Sequence, residues 1–432
     1  MNAEIKGLLS FIDSAPSAFH AAESVCSALR QAGYDPLEER EIWRLKPGGR
    51  YFFTRNRSSV MAFRIPACGF APFQIIASHG DSPAFRLKPA AGRESQGYAL
   101  LNVERYGGML MSSWMDRPLS IAGRLLVKED RGICTRLVNV DRDLALIPNM
   151  PIHFNREAND GVSYNAQVDM MPIYGMEGAD YMEIVAQSAG VKRENIVGAD
   201  LFLYNRARPT VWGDAEAFFS VGRIDDLECV YAALRAFLTA SDSRHIDLMC
   251  LFDNEEVGSG TKQGADSTLL AETLRRIALA LDAPAQALEA AISGSFMLSA
   301  DNAHAVHPNH PEKYDAENRV HMNAGVVIKF NANQKYTSDG VSAAVFKHIC
   351  DTAGVPVQYF ANRSDIAGGS TLGNIANTHV SMNTVDIGLA QLAMHSACET
   401  AGTRDIDYMI RAMRAFYETH IDIRSDGQIY LD

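Results

Sequence analysis

His79 and Asp81 stand two residues apart at the end of the apolar run Phe73-Gln-Ile-Ile-Ala-Ser78. His-x-Asp has a direct chemical reading: the imidazole binds a metal through one nitrogen while the carboxylate orients the ring through the other. Glu255 and Glu256 follow a second apolar run, Leu248-Met-Cys-Leu-Phe252, as an adjacent pair. Neighbouring carboxylates at a buried strand end repel and need compensating charge. One of them can ligate a metal while the other takes a proton from metal-activated water. Asp301 follows the run Phe296–Ala300, and Asp225 opens an amphipathic stretch. Taken singly, each signal has a plain alternative, since H-x-D recurs by chance and an acidic pair also suits a solvated turn. Together they make a charge argument. Asp225, Glu256 and Asp301 in one pocket would be prohibitive to bury unpaired. Two Zn²⁺ ions with one hydroxide and neutral imidazoles balance them, and the motifs show no Lys or Arg cluster that would.

These residues must be positioned by strands and helices. Asp226–Thr239 puts Leu227, Val230, Tyr231, Leu234, Phe237 and Leu238 on one helical stripe. Strands are expected at Phe73–Ser78, Ile246–Phe252, Phe296–Ala300 and about 384–387, with helices near 267–282 and 405–419 and over Met1–Phe19. Alternation of strands and helices predicts an α/β fold whose mostly parallel central sheet is flanked by helices. Ligand groups then gather outside the carboxyl ends of the strands. The texture changes between about 85 and 219, where Gly123–Lys128 and Ile133–Val138 flank a hairpin signal and 155–169 is polar and turn-rich. The expected organisation is one discontinuous catalytic domain, 1–84 and 220–432, with a β-rich insertion at 85–219.

Composition narrows the classes. The chain has 432 residues, 47% hydrophobic and 21% charged, which fits an ordinary globular protein. A net charge of −12 argues against nucleic acid or an anionic membrane as partner. No run reaches the roughly 20 apolar residues of a membrane span, and the start shows no leader pattern, so a cytoplasmic location is expected. The seven cysteines are scattered without a C-x-x-C pair, the pattern of buried reduced thiols. Gly258-Ser-Gly-Thr-Lys262 lacks the full phosphate-loop spacing. Pro308 and Pro311 keep His304, His307 and His310 from forming one helical metal face.

Five segments occur in order along the chain: Ala77-Ser-His-Gly-Asp-Ser-Pro83, Arg223-Ile-Asp-Asp-Leu227, Asp253-Asn-Glu-Glu-Val-Gly-Ser259, Ser299-Ala-Asp-Asn-Ala-His-Ala-Val-His-Pro-Asn309 and Gln391-Leu-Ala-Met-His-Ser396. They resemble the aspartyl aminopeptidase family over essentially the whole length. The resemblance implies that His79 and Asp301 bind one zinc, that Glu256 and His395 bind a second, and that Asp225 bridges them. Co²⁺ or Mn²⁺ would also suit such sites. It implies Glu255 as general base and Asp81 as the partner that orients His79. His395 comes from the resemblance alone. By the same likeness Lys329, in Val326-Val-Ile-Lys-Phe-Asn331, meets an acidic substrate side chain. His307 lies in a matching segment on the substrate side. His153, in Ile152-His-Phe154, reaches the active site of a neighbouring subunit.

The function implied is hydrolysis of a single N-terminal residue, acidic by preference, from peptides with a free amine. The expected assembly is a homodimer building block within a larger symmetric oligomer. Two other readings stand beside it: a different dinuclear zinc amidohydrolase acting on blocked or C-terminal substrates, and a non-catalytic assembly protein that keeps the fold.

Overall fold

The computed structural model describes residues 3–241 and 244–432. Its centre is a nine-stranded sheet, in spatial order Asp35–Pro36, Arg50–Arg55, Ser59–Arg64, Ile246–Phe252, Phe73–His79, Phe296–Ala300, Asn383–Gly388, Val326–Phe330 and Val357–Ala361. Five of the eight neighbouring pairs are parallel, among them the three that join the four strands from Ile246–Phe252 to Asn383–Gly388. The two strands beginning at Phe73 and Ile246 are buried at every residue, as a sheet covered on both faces requires. Successive side chains alternate between faces. Ile76, Met249 and Leu298 pack with the helices Ile224–Thr239 and Asp405–Glu418. Ile75, Leu248 and Met297 pack on the opposite face with the helix Leu269–Ala280.

A second sheet of six strands is drawn from residues 84–205, and each of its neighbouring pairs is antiparallel. It contains the expected hairpin as Leu119–Glu129 paired with Gly132–Asn139, and it has a core of its own around Phe85, Leu101, Trp114 and Leu125. One α-helix, Tyr181–Ala189, lies in this stretch; the Asp180 side chain accepts from Met182 N at its start, and Gly190 ends it in a left-handed conformation. A third sheet of five strands joins Thr210–Trp212 and Phe218–Val221 to Glu399–Gly402, Ala390–Leu392 and Ala303–His304.

The structure corrects two local expectations. The helix read over Met1–Phe19 is two helices, Ala3–Ser14 and Ala18–Gln31, because Pro16 disfavours helical backbone before it; Met1 and Asn2 lie outside the described residues. The seven cysteines are free, but Cys68 and Cys134 are exposed rather than buried. Arg64, at the end of the strand Ser59–Arg64, is buried and paired with Asp247 at 2.7 Å on the next strand. No helix among the described residues is long and apolar enough to cross a membrane.

Candidate metal centre

Parallel strands end along one edge, and this edge carries the chemistry. His79 is the last residue of the central strand and sits in register with Phe252. Past Phe252 the chain turns tightly through Glu255–Val257. Asp301 follows Phe296–Ala300, and Asp225 lies in the opening turn of the helix Ile224–Thr239. His395 sits in the turn after Ala390–Leu392, with its backbone at φ 66°.

The side chains from these five segments converge. Asp225 lies between the two imidazoles, with Oδ1 3.3 Å from His79 Nε2 and Oδ2 3.2 Å from His395 Nε2. His79 Nε2 is 4.0 Å from Asp301 Oδ1, and His395 Nε2 is 3.3 Å from Glu256 Oε2. Three overlapping groups each offer ligand atoms within 4.8 Å of one another: His79, Asp225 and Asp301; Asp225, Glu256 and His395; and His79, Glu255 and Glu256. Asp225 belongs to the first two and Glu255 only to the third.

Both imidazoles are held from behind. The Asp81 carbonyl lies 3.1 Å from His79 Nδ1 and its carboxylate 3.4 Å away, which leaves Nε2 facing the carboxylates. The Gly108 backbone accepts from the His395 ring. Glu399, absent from the sequence expectations, braces two segments at once. Its Oε1 accepts from His395 N at 2.7 Å, and its Oε2 accepts from Ile224 N at 2.7 Å and Asp225 N at 3.2 Å. A buried carboxylate among small residues, Ala397-Cys-Glu-Thr-Ala401, was the available signal.

The donor set fits divalent metal. Asp225 Oδ1 and Glu256 Oε1 are buried without a hydrogen-bond partner, a costly state for carboxylate oxygens. Burial, with the repulsion of Asp301 and Asp81, pushes the Glu255 carboxyl up to about 8. Burial and the Asp225 charge drive Glu256 well above the carboxylate range. Against its burial, Asp225 is held low by the His395 and His79 imidazoles. A bound cation reverses this balance and keeps such carboxylates ionised, and carboxylate with imidazole is a donor set that zinc accepts.

Lys329 amends the charge count. Its ammonium is buried, 2.9 Å from the Asp301 carbonyl, 3.3 Å from the Asn302 carbonyl and 3.3 Å from Asp301 Oδ2. One cation therefore does sit beside the cluster, brought there by the strand Val326–Phe330. It offsets the Asp301 carboxylate, while Asp225 and Glu256 have only imidazoles as ion-pair partners. His307 lines a cavity of about 280 Å³ with His304, Tyr314, Gln391 and His395. His153 is exposed in a turn and takes no part in the hydrogen bonds or ion pairs of the cluster.

Residues 11–417 match the family model described as Aminopeptidase I zinc metalloprotease (M18). The chain belongs to the M18 family of zinc aminopeptidases. An M18 relative from Clostridium novyi (strain NT), named "Probable M18 family aminopeptidase 2", is 44% identical over 421 residues, covering 95% of this chain and 97% of its own. Among solved structures, Ape4 in its complex with Nbr1 superposes with a TM-score of 0.93 at 32% identity, covering 95% of this chain and 84% of that one. The S. cerevisiae mApe1 dodecamer gives 0.84 at 26% identity, with 95% of each chain covered. The α/β fold and the metalloexopeptidase class expected from the sequence are thus those of M18.

Proposed function

We propose that the chain holds two zinc ions, one with His79 and Asp301 and one with Glu256 and His395, with Asp225 shared between them. Under this reading it removes single N-terminal residues, preferably Asp or Glu, from peptides. The supporting observation is Asp225, whose two oxygens each face a different imidazole at 3.2–3.3 Å. When bound, zinc supplies Lewis acidity toward the scissile carbonyl and makes water acidic at neutral pH. Glu255 lies beside both ligand sets without belonging to the Asp225 groups. It takes the proton of the attacking water and returns it to the leaving amine. Asp81 fixes the His79 ring, and Glu399 holds the backbone of His395 and Asp225 while charge moves between them.

The acidic preference rests on the resemblance to the aspartyl aminopeptidases. Lys329 is its candidate group, with His307 on the cavity wall beside His395. Because the Lys329 ammonium already serves Asp301, it meets a substrate carboxylate only by giving up that bond. We therefore expect Lys329→Met to slow all unblocked aminoacyl substrates, with Asp and Glu substrates losing more than Leu or Ala. Steady-state turnover on the four substrates measures this, and equal losses would leave Lys329 as a partner of Asp301 alone.

Residues 85–219 are proposed as the oligomerisation unit, with His153 completing the site of a neighbouring subunit. Its exposure in the single chain and the dodecameric state of mApe1 support that reading.

A further inference from the structure

Asp81 is itself held by a group from the other sheet. Tyr106 is the last residue of the strand Tyr98–Tyr106 in the six-stranded sheet. Its hydroxyl donates to Asp81 Oδ2 at 2.7 Å and accepts from Asn254 Nδ2 at 2.8 Å. Asp81 in turn takes the backbone N–H of Glu255 on Oδ1 and that of Glu256 on Oδ2, both at 3.1 Å. The same carboxylate stands 3.4 Å from His79 Nδ1. One hydroxyl therefore bears on the residue that orients a histidine ligand and fixes the turn carrying both glutamates. The ring carrying it is packed, edge-on to Phe202 with centroids 5.4 Å apart.

The residues after Tyr106 continue the contact. Gly107 has φ +77°, and a Cβ there would lie 3.1 Å from Glu256 Cβ, so glycine is what lets the backbone pass so close. The Gly108 backbone accepts from the His395 ring, and Leu110 N donates to the His395 carbonyl at 3.0 Å.

We propose that Tyr106 is a positioning residue of the metal centre, acting through Asp81 on His79 and on the Glu255–Glu256 turn. The physical reason is the demand on Asp81. Its two oxygens serve two backbone donors and one imidazole at once, and only one arrangement of the carboxylate satisfies all three. A short hydroxyl bond on Oδ2 selects that arrangement and shares the carboxylate charge. Groups that hydrogen-bond a metal ligand directly, as Asp81 does His79, typically change affinity or activity about 10–100-fold when lost; Tyr106 stands one hydrogen bond further out and acts through Asp81. The inference rests on the two-zinc reading above and adds a residue from the second sheet to it.

Tyr106→Phe is the direct test, because it removes the hydroxyl and keeps the ring on Phe202. Zinc affinity is measured on the full chain by competition with a chromophoric chelator, alongside kcat, KM and melting temperature. Zinc binding is expected to weaken by up to about 10-fold, the low end of the range for loss of a ligand's direct partner, with kcat falling and KM staying within about twofold. Phe202→Leu serves as the packing control: it leaves the hydroxyl in place and should lower the melting temperature with zinc affinity unchanged. The proposal is overturned if Tyr106→Phe binds zinc and turns over like the unaltered chain. It is equally overturned if Phe202→Leu loosens zinc as much as Tyr106→Phe does. An unaltered chain that binds no zinc would instead sink the two-zinc reading, and this inference with it.

Discussion

Glu255 and Glu256 share one turn and one buried environment, yet their carboxylates meet different neighbours. Glu256 faces His395 at 3.3 Å and joins the Asp225 group, whereas Glu255 stays outside it. Glu255→Gln keeps the shape and the metal ligands but removes a proton acceptor, so we expect kcat to fall by about 10²–10⁴-fold with metal content intact. Glu256→Gln should instead lower metal content. Activity and elemental analysis on the two variants separate the roles, and near-normal turnover in Glu255→Gln would mean they are misassigned. This pair was legible in the sequence, as were His79, Asp81 and Asp301, because each is a charged or imidazole group closing an apolar run. His395 was not legible from its own surroundings. It sits in a positive-φ turn after a three-residue strand, where no periodicity marks it. Glu399 and Tyr106 escaped because each acts on a neighbour far away in sequence, Tyr106 on Asp81 and Asn254 and Glu399 on Ile224 and Asp225.

At the scale of elements, the site is a consequence of strand ends. The expected strand at 246–252 and the strand from Phe73 appear buried along their whole length, whereas the helix Ile224–Thr239 is buried around nearly its whole circumference rather than along the one predicted stripe, with Leu238 only half-buried. Register follows from that burial, since a slip of one residue would exchange Ile75 and Ile76 between two different cores. What periodicity could not supply was neighbourhood. The order that sets Phe73–His79 between Ile246–Phe252 and Phe296–Ala300 is a property of the assembled sheet, and it alone brings Glu255, His79 and Asp301 together. Lys329 shows the same limit. Its strand was recognisable, but its place beside Asp301 depends on the crossover that sets Val326–Phe330 against Asn383–Gly388. The charge count from sequence therefore left out one cation.

For the whole molecule, the proposed reading makes the complete site a property of the assembly rather than of a single chain. Under the proposed reading His153 serves a partner, and an isologous interface makes the exchange reciprocal. His153→Ala and Glu255→Gln chains should each be nearly inactive alone. Co-expressed, half of randomly formed pairs are mixed and each mixed pair has one intact site, so activity should recover to about a quarter of normal. If His153 serves its own chain, every site keeps one defect and mixing restores nothing. The central claim is the shared carboxylate of Asp225 between two zinc ions, and metal titration tests it most directly. Chelator-treated protein should be inactive and regain turnover as zinc is added back, reaching a plateau at about two equivalents per chain. Full activity in protein that elemental analysis shows to be free of bound metal would contradict the account.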